Sequence, residues 1–71
     1  MNERLIGFGS EATRFMYEYV KKKVSVSTTE VIHEAQDRGI DEDSAYRIID
    51  FLLISGKIYE PKEGVLEFVD Y

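Results

Sequence analysis

Gly39-Ile40-Asp41 puts a helix stop and a helix start within three consecutive residues. Glycine followed by an apolar residue marks a left-handed C-terminal cap with its hydrophobic contact. Aspartate is among the preferred N-caps, because its carboxylate accepts the free amide hydrogens of the first turn. Two helices joined by about four residues must fold back on one another, which leaves few architectures open to a short chain.

The first of the pair begins at Ser27-Thr28-Thr29-Glu30. This is a capping box, in which the serine oxygen takes the amide hydrogen of the glutamate and the glutamate reaches back to the cap amide. Its apolar set is Val31, Ile32 and Ala35. The second helix follows Asp41 and carries Ala45, Ile48, Ile49, Leu52 and Leu53 at helical spacing, broadened by Phe51 and Ile54, as far as Gly56. Upstream, Ser10 heads a third pattern, Ala12, Phe15, Met16, Tyr19 and Val20, which predicts a helix over about residues 11–23. Glu11 and Lys21-Lys22-Lys23 lie at the ends where the helix dipole favours their charges. Val24-Ser25-Val26 alternates too briefly for more than an edge strand.

After Gly56 the period changes. Lys57 to Glu60 and Val65 to Val69 read as two strands around the turn Pro61-Lys62-Glu63-Gly64, a β-hairpin. The predicted order is α-β-α-α-β-β: three amphipathic helices bury one core, and the short strand pairs with the hairpin to close its open side. That is an α+β fold of the winged helix-turn-helix kind, with the hairpin as the wing. Residues 10–71 are expected to form the domain. Residues 1–9 are expected to be a linker or extended N-terminal arm, with Leu5, Ile6 and Phe8 available to dock.

Seventy-one residues without a cysteine exclude disulfides, thiolate catalysis and cysteine-ligated zinc, so packing alone must hold the core. Neither a phosphate-binding P-loop nor a G-x-G-x-x-G turn is present, and the expectation is a non-catalytic domain without cofactor or metal. His33 is the sole histidine and completes no convincing ligand set with Glu30, Glu34 or Asp37; a solvated helix position is expected. Met1 to Arg4 is polar, and the apolar stretch after it is broken by Gly7 and Gly9. The chain therefore reads as cytoplasmic, with no leader or membrane segment, and as a monomer.

The hairpin carries a more specific likeness. Gly56-Lys57-Ile58-Tyr59-Glu60-Pro61-Lys62-Glu63-Gly64-Val65-Leu66 resembles the G-x-I-Y-E-P-x-x-G-x-L stretch that closes the C-terminal winged helix of archaeal minichromosome maintenance (MCM) replicative helicases. The helix from Ala45 to Ser55 is similar in register, and the likeness covers roughly residues 10–71. It departs at Glu63, where that family often has proline, and at the terminal Phe68-Val69-Asp70-Tyr71. The resemblance implies a regulatory module of DNA replication, tethered to a parent ATPase ring and contacting replication proteins.

Charge divides along the chain: residues 1–23 hold five basic and three acidic side chains, the remainder four basic and eleven acidic, for a net −5. Affinity for nucleic acid rests largely on neutralised phosphates, so weak or no binding is expected. A DNA-reading third helix would present Arg, Lys, Asn or Gln to base edges. Here Glu42, Asp43, Ser44, Arg47 and Asp50 are left for its outer face. Glu42, Asp43, Tyr46 and Asp50 are thus candidates for contact with a basic protein surface. Lys21, Lys22, Lys23, Arg47, Lys57 and Lys62 are the candidates for the alternative, a small DNA-binding regulator.

Overall fold

A computed structural model describes residues 10–70, and the proposed N-terminal arm lies outside them. The fold is α+β, in the order α1 (Glu11–Lys23), β1 (Ser25–Ser27), α2 (Thr28–Asp37), α3 (Glu42–Ile54), β2 (Ile58–Lys62) and β3 (Val65–Phe68). Each helix starts on a side-chain cap. The oxygens of Ser10, Ser27 and Asp41 accept the amides of Thr13, Glu30 and Ser44 at 3.1, 3.1 and 3.2 Å. Only the serine half of the expected capping box forms. Glu30 turns away from the cap, accepting the Tyr19 hydroxyl at 2.6 Å and pairing with Lys23 at 3.5 Å, which ties α2 to α1.

The stops of α2 and α3 have one construction. The amide of Ile40 donates to Ala35 and that of Gly39 to Gln36, each at 2.9 Å; Lys57 and Gly56 repeat the pattern onto Leu52 and Leu53 at 3.0 and 3.1 Å. The two glycines hold φ of 88° and 76°, a conformation that costs L side chains strain but glycine none. The connection between α2 and α3 is then short enough to pack the two helices together.

The three strands form one antiparallel sheet in the order β1-β3-β2. Val26, Leu66 and Ile58 point from its inner face into a core with Met16, Val20, Val31, Ile32, Ala35, Ala45, Ile48, Ile49 and Leu52. Period-two alternation sends Ser25, Glu67 and Tyr59, aligned across the sheet, to the other face. There Tyr59 donates to Glu67 at 2.7 Å.

Four further expectations are corrected. Thr13, fully buried, joins Met16 and Val20 on the inner face of α1, while Ala12, Phe15 and Tyr19 are only partly covered. A polar residue is tolerated there because the Ser10 hydroxyl donates to its oxygen at 2.7 Å. Ile54 does not broaden the buried stripe of α3; it is 86% exposed. The hairpin turn is tighter than the sequence suggests, since β2 runs through Pro61 and Lys62. Glu60 and Pro61 together oppose Leu66 alone, a bulge that accommodates a residue with no amide hydrogen, and the Glu60 carboxylate accepts the Gly64 amide at 3.0 Å.

The fourth concerns Val24, which is the C-cap of α1 rather than the first residue of a strand. Its amide closes the helix on Val20 at 2.8 Å, and its carbonyl accepts from Phe68 at 2.9 Å to begin the sheet. Making both bonds requires φ 69° and ψ −50°, an uncommon region for a β-branched residue, and its side chain is 60% exposed. Burial therefore offsets little of the strain. Val24→Gly is expected to be more stable than Val24→Ala by about 1 kcal/mol in urea unfolding, because only glycine relieves the positive φ. An alanine variant at least as stable as the glycine variant would show that the position is unstrained.

Candidate docking surface on the third helix

The inner side of α3 is fixed by Ala45, Ile48, Ile49 and Leu52, so the helical period dictates what remains outside. Asp43, Tyr46, Arg47, Asp50 and Ile54 fall within one sector of the opposite side, and all five are exposed. Tyr46 and Ile54 are 47% and 86% exposed, unusual for large apolar side chains on a helix whose other apolar residues are covered. Glu42 stands at the first turn, also exposed.

The start of this surface is held by hydrogen bonds. The Asp41 carboxylate accepts both the amide and, at 2.8 Å, the hydroxyl of Ser44. These bonds hold its carboxyl below the usual range, so it remains ionised at the positive end of the helix. Among the described residues, no ion pair neutralises Glu42, Asp43 or Asp50. Arg47 is the one cation on the exposed face of α3.

The basic candidates are not gathered in one place. Lys21, Lys22 and Lys23 are consecutive, so a helix projects them about 100° apart. Lys21 lies over the Phe68 ring at 5.6 Å from its centroid, and Lys23 over Tyr19 at 5.6 Å while pairing with Glu30. Two of the three thus serve contacts within the domain. Lys57 is half-buried after α3, and Lys62 is exposed at the far end of β2. Arg38 stacks at 4.3 Å on the Phe15 ring of α1.

His33 is exposed and faces Asp37 at 3.9 Å one turn along α2, and among the described residues no group of three or more metal-ligating side chains converges. No described helix is long and apolar enough to cross a membrane. No protein family, curated protein or solved structure matches this chain.

Ile54 is the surface residue that sequence reading missed. Its signal was present, for it sits four residues after Asp50 and eleven after Asp43, a spacing that brings all three to one side of a helix.

The Tyr19–Glu30–Lys23 cluster yields a pH signature. The hydrogen bond to Glu30, whose carboxylate is in turn held below its usual range, raises the Tyr19 hydroxyl from 10.0 to about 12. A raised pKa in the folded state stabilises it fully below the unfolded value, and that contribution fades as pH climbs from 10 through 12. In a near-ultraviolet absorbance titration one tyrosine should ionise near 12, and Glu30→Gln should return it toward 10. Ionisation unaffected by Glu30→Gln would break the assignment.

Proposed function

We propose that this chain is a non-catalytic winged-helix module that acts by protein contact, as an accessory domain of an MCM-type replicative helicase. Three helices followed by a two-stranded ribbon, with a short strand after α1 completing the sheet, fit that fold. The replication reading rests on the Gly56-to-Leu66 wing sequence.

One observation carries the choice of protein over DNA. In a winged helix the third helix is the element that enters the major groove. Its outward side here presents Asp43 and Asp50 without an ion pair among the described residues, and Arg47 as its only cation. Phosphates on both walls of a groove would repel those carboxylates, and no row of donors is available to read bases. Lys21, Lys22 and Lys23 are dispersed around α1 and, as placed among the described residues, do not compensate.

The contact would be made by α3 and set by Glu42, Asp43, Tyr46 and Asp50. A covalent tether to the ring would raise the effective concentration to the millimolar range, so modest intrinsic affinity suffices.

Fluorescence anisotropy with duplex and single-stranded DNA separates the two readings. The docking account expects no measurable binding at physiological salt, with any low-salt residue lost when Lys21, Lys22 and Lys23 are all changed to alanine. Tight, steeply salt-dependent duplex binding that Arg47→Ala abolishes would establish the DNA-binding regulator instead. Surface plasmon resonance against an archaeal MCM ring lacking its own C-terminal domain tests the partner. Binding weakened by Asp43→Asn with Asp50→Asn is expected, and no binding would reject the helicase assignment.

A further inference from the structure

We infer that the outer face of α3 receives a basic amphipathic helix of the partner, with cations opposite Asp43 and Asp50 and apolar side chains over Tyr46 and Ile54. The inference rests on the protein-docking reading and names the partner's chemistry.

The shape of the exposed face selects a helix. Asp43, Arg47, Asp50 and Ile54, all exposed, follow one another at intervals of four, three and four residues, the spacing of a coiled-coil seam, with Tyr46 beside them. Two facing rods bury such a line along its whole length, about 20 Å for this helix. An extended strand has no comparable fit, because α3 offers no free backbone edge.

Charge narrows the occupant further. Read along the helix, the exposed ionic groups run negative at Asp43, positive at Arg47 and negative at Asp50, and among the described residues none is in an ion pair. A matching partner shows the inverse order, a cation, a carboxylate and a cation, which fixes its register as well as its identity. A second copy of this chain is disfavoured. A two-fold contact through this face lays the acidic surface with its flanking Glu42 against itself, in a chain of net charge −5. The apolar pair then explains why the surface is more than a solvated acidic face: Ile54, at 86% exposure, gains by losing water only when something covers it.

The test uses the whole isotopically labelled 71-residue chain and a synthetic probe. The probe is an alanine-based helical peptide with lysines one heptad apart, a glutamate between them and leucines along the same seam. Nuclear magnetic resonance titration is expected to move the amides from Asp43 to Ile54, with affinity falling as salt is added. Asp50→Lys, an exposed change, should weaken binding about tenfold, from the loss of one attraction and the gain of one repulsion. A peptide whose facing lysine is changed to glutamate should bind Asp50→Lys more tightly than it binds the wild type. Ile54→Ser, which leaves every charge in place, should also weaken binding, and far-ultraviolet circular dichroism checks that both variants stay folded.

Shifts confined to other surfaces, binding indifferent to charge exchange, or no shift at all would overturn the inference. If the peptide is silent and DNA is silent too, this inference fails while the docking reading stands. If duplex DNA moves the α3 amides, both fail.

Discussion

Everything in this small domain depends on the ribbon covering the helices. Val26, Ile58 and Leu66 come from three different strands, yet each buries its side chain against the same group of helical residues. Without them Met16, Ile48 and Leu52 would face water on one side, and a chain with no cysteine has no covalent substitute. The sheet in turn needs the helices, since three short strands bury too little to stand alone. The interdependence extends to the connections: Val24 ends α1 with its amide and begins the sheet with its carbonyl, and Gly64 passes its carbonyl to the amide of Thr28 at the start of α2.

That closure also decides what is left for function. Once the inner side of α3 is committed to the core, Asp43, Tyr46, Arg47, Asp50 and Ile54 stay exposed among the described residues. On the sheet's outer face, by contrast, Tyr59 bonds Glu67, and two of the four cations of α1, Lys21 and Lys23, meet aromatic rings and Glu30. The surface best fitted to a partner is therefore the one on which charge and apolar area remain together without a local use.

Local chemistry was the most legible part of the sequence. Ser10, Ser27, Asp41, Gly39 and Gly56 act within one turn of their own positions, and each bounds its helix where the pattern places it. What escaped was mostly set by contacts between elements. Glu30 is drawn from its cap by Tyr19 and Lys23, and the bulge at Glu60 and Pro61 follows from the register that β3 imposes. Thr13 is the local exception: its hydroxyl is satisfied by Ser10 three residues away, which permits its burial. Ile54 is apolar, but its place around the helix, on the side of Asp43 and Asp50, outweighs its hydrophobicity. The acidic surface itself was readable, since Asp43 and Asp50 lie outside the apolar stripe in any helical projection.

Native-state amide hydrogen exchange tests most directly whether helices and ribbon form one core. If they do, the slowest amides of β3 and those of Ile48 to Leu52 exchange with the same opening free energy and the same denaturant dependence, as one cooperative unit. Strand amides opening far more readily than those of α3 would mean that the ribbon is an appendage, and the reasoning that frees the outer face of α3 would lose its foundation.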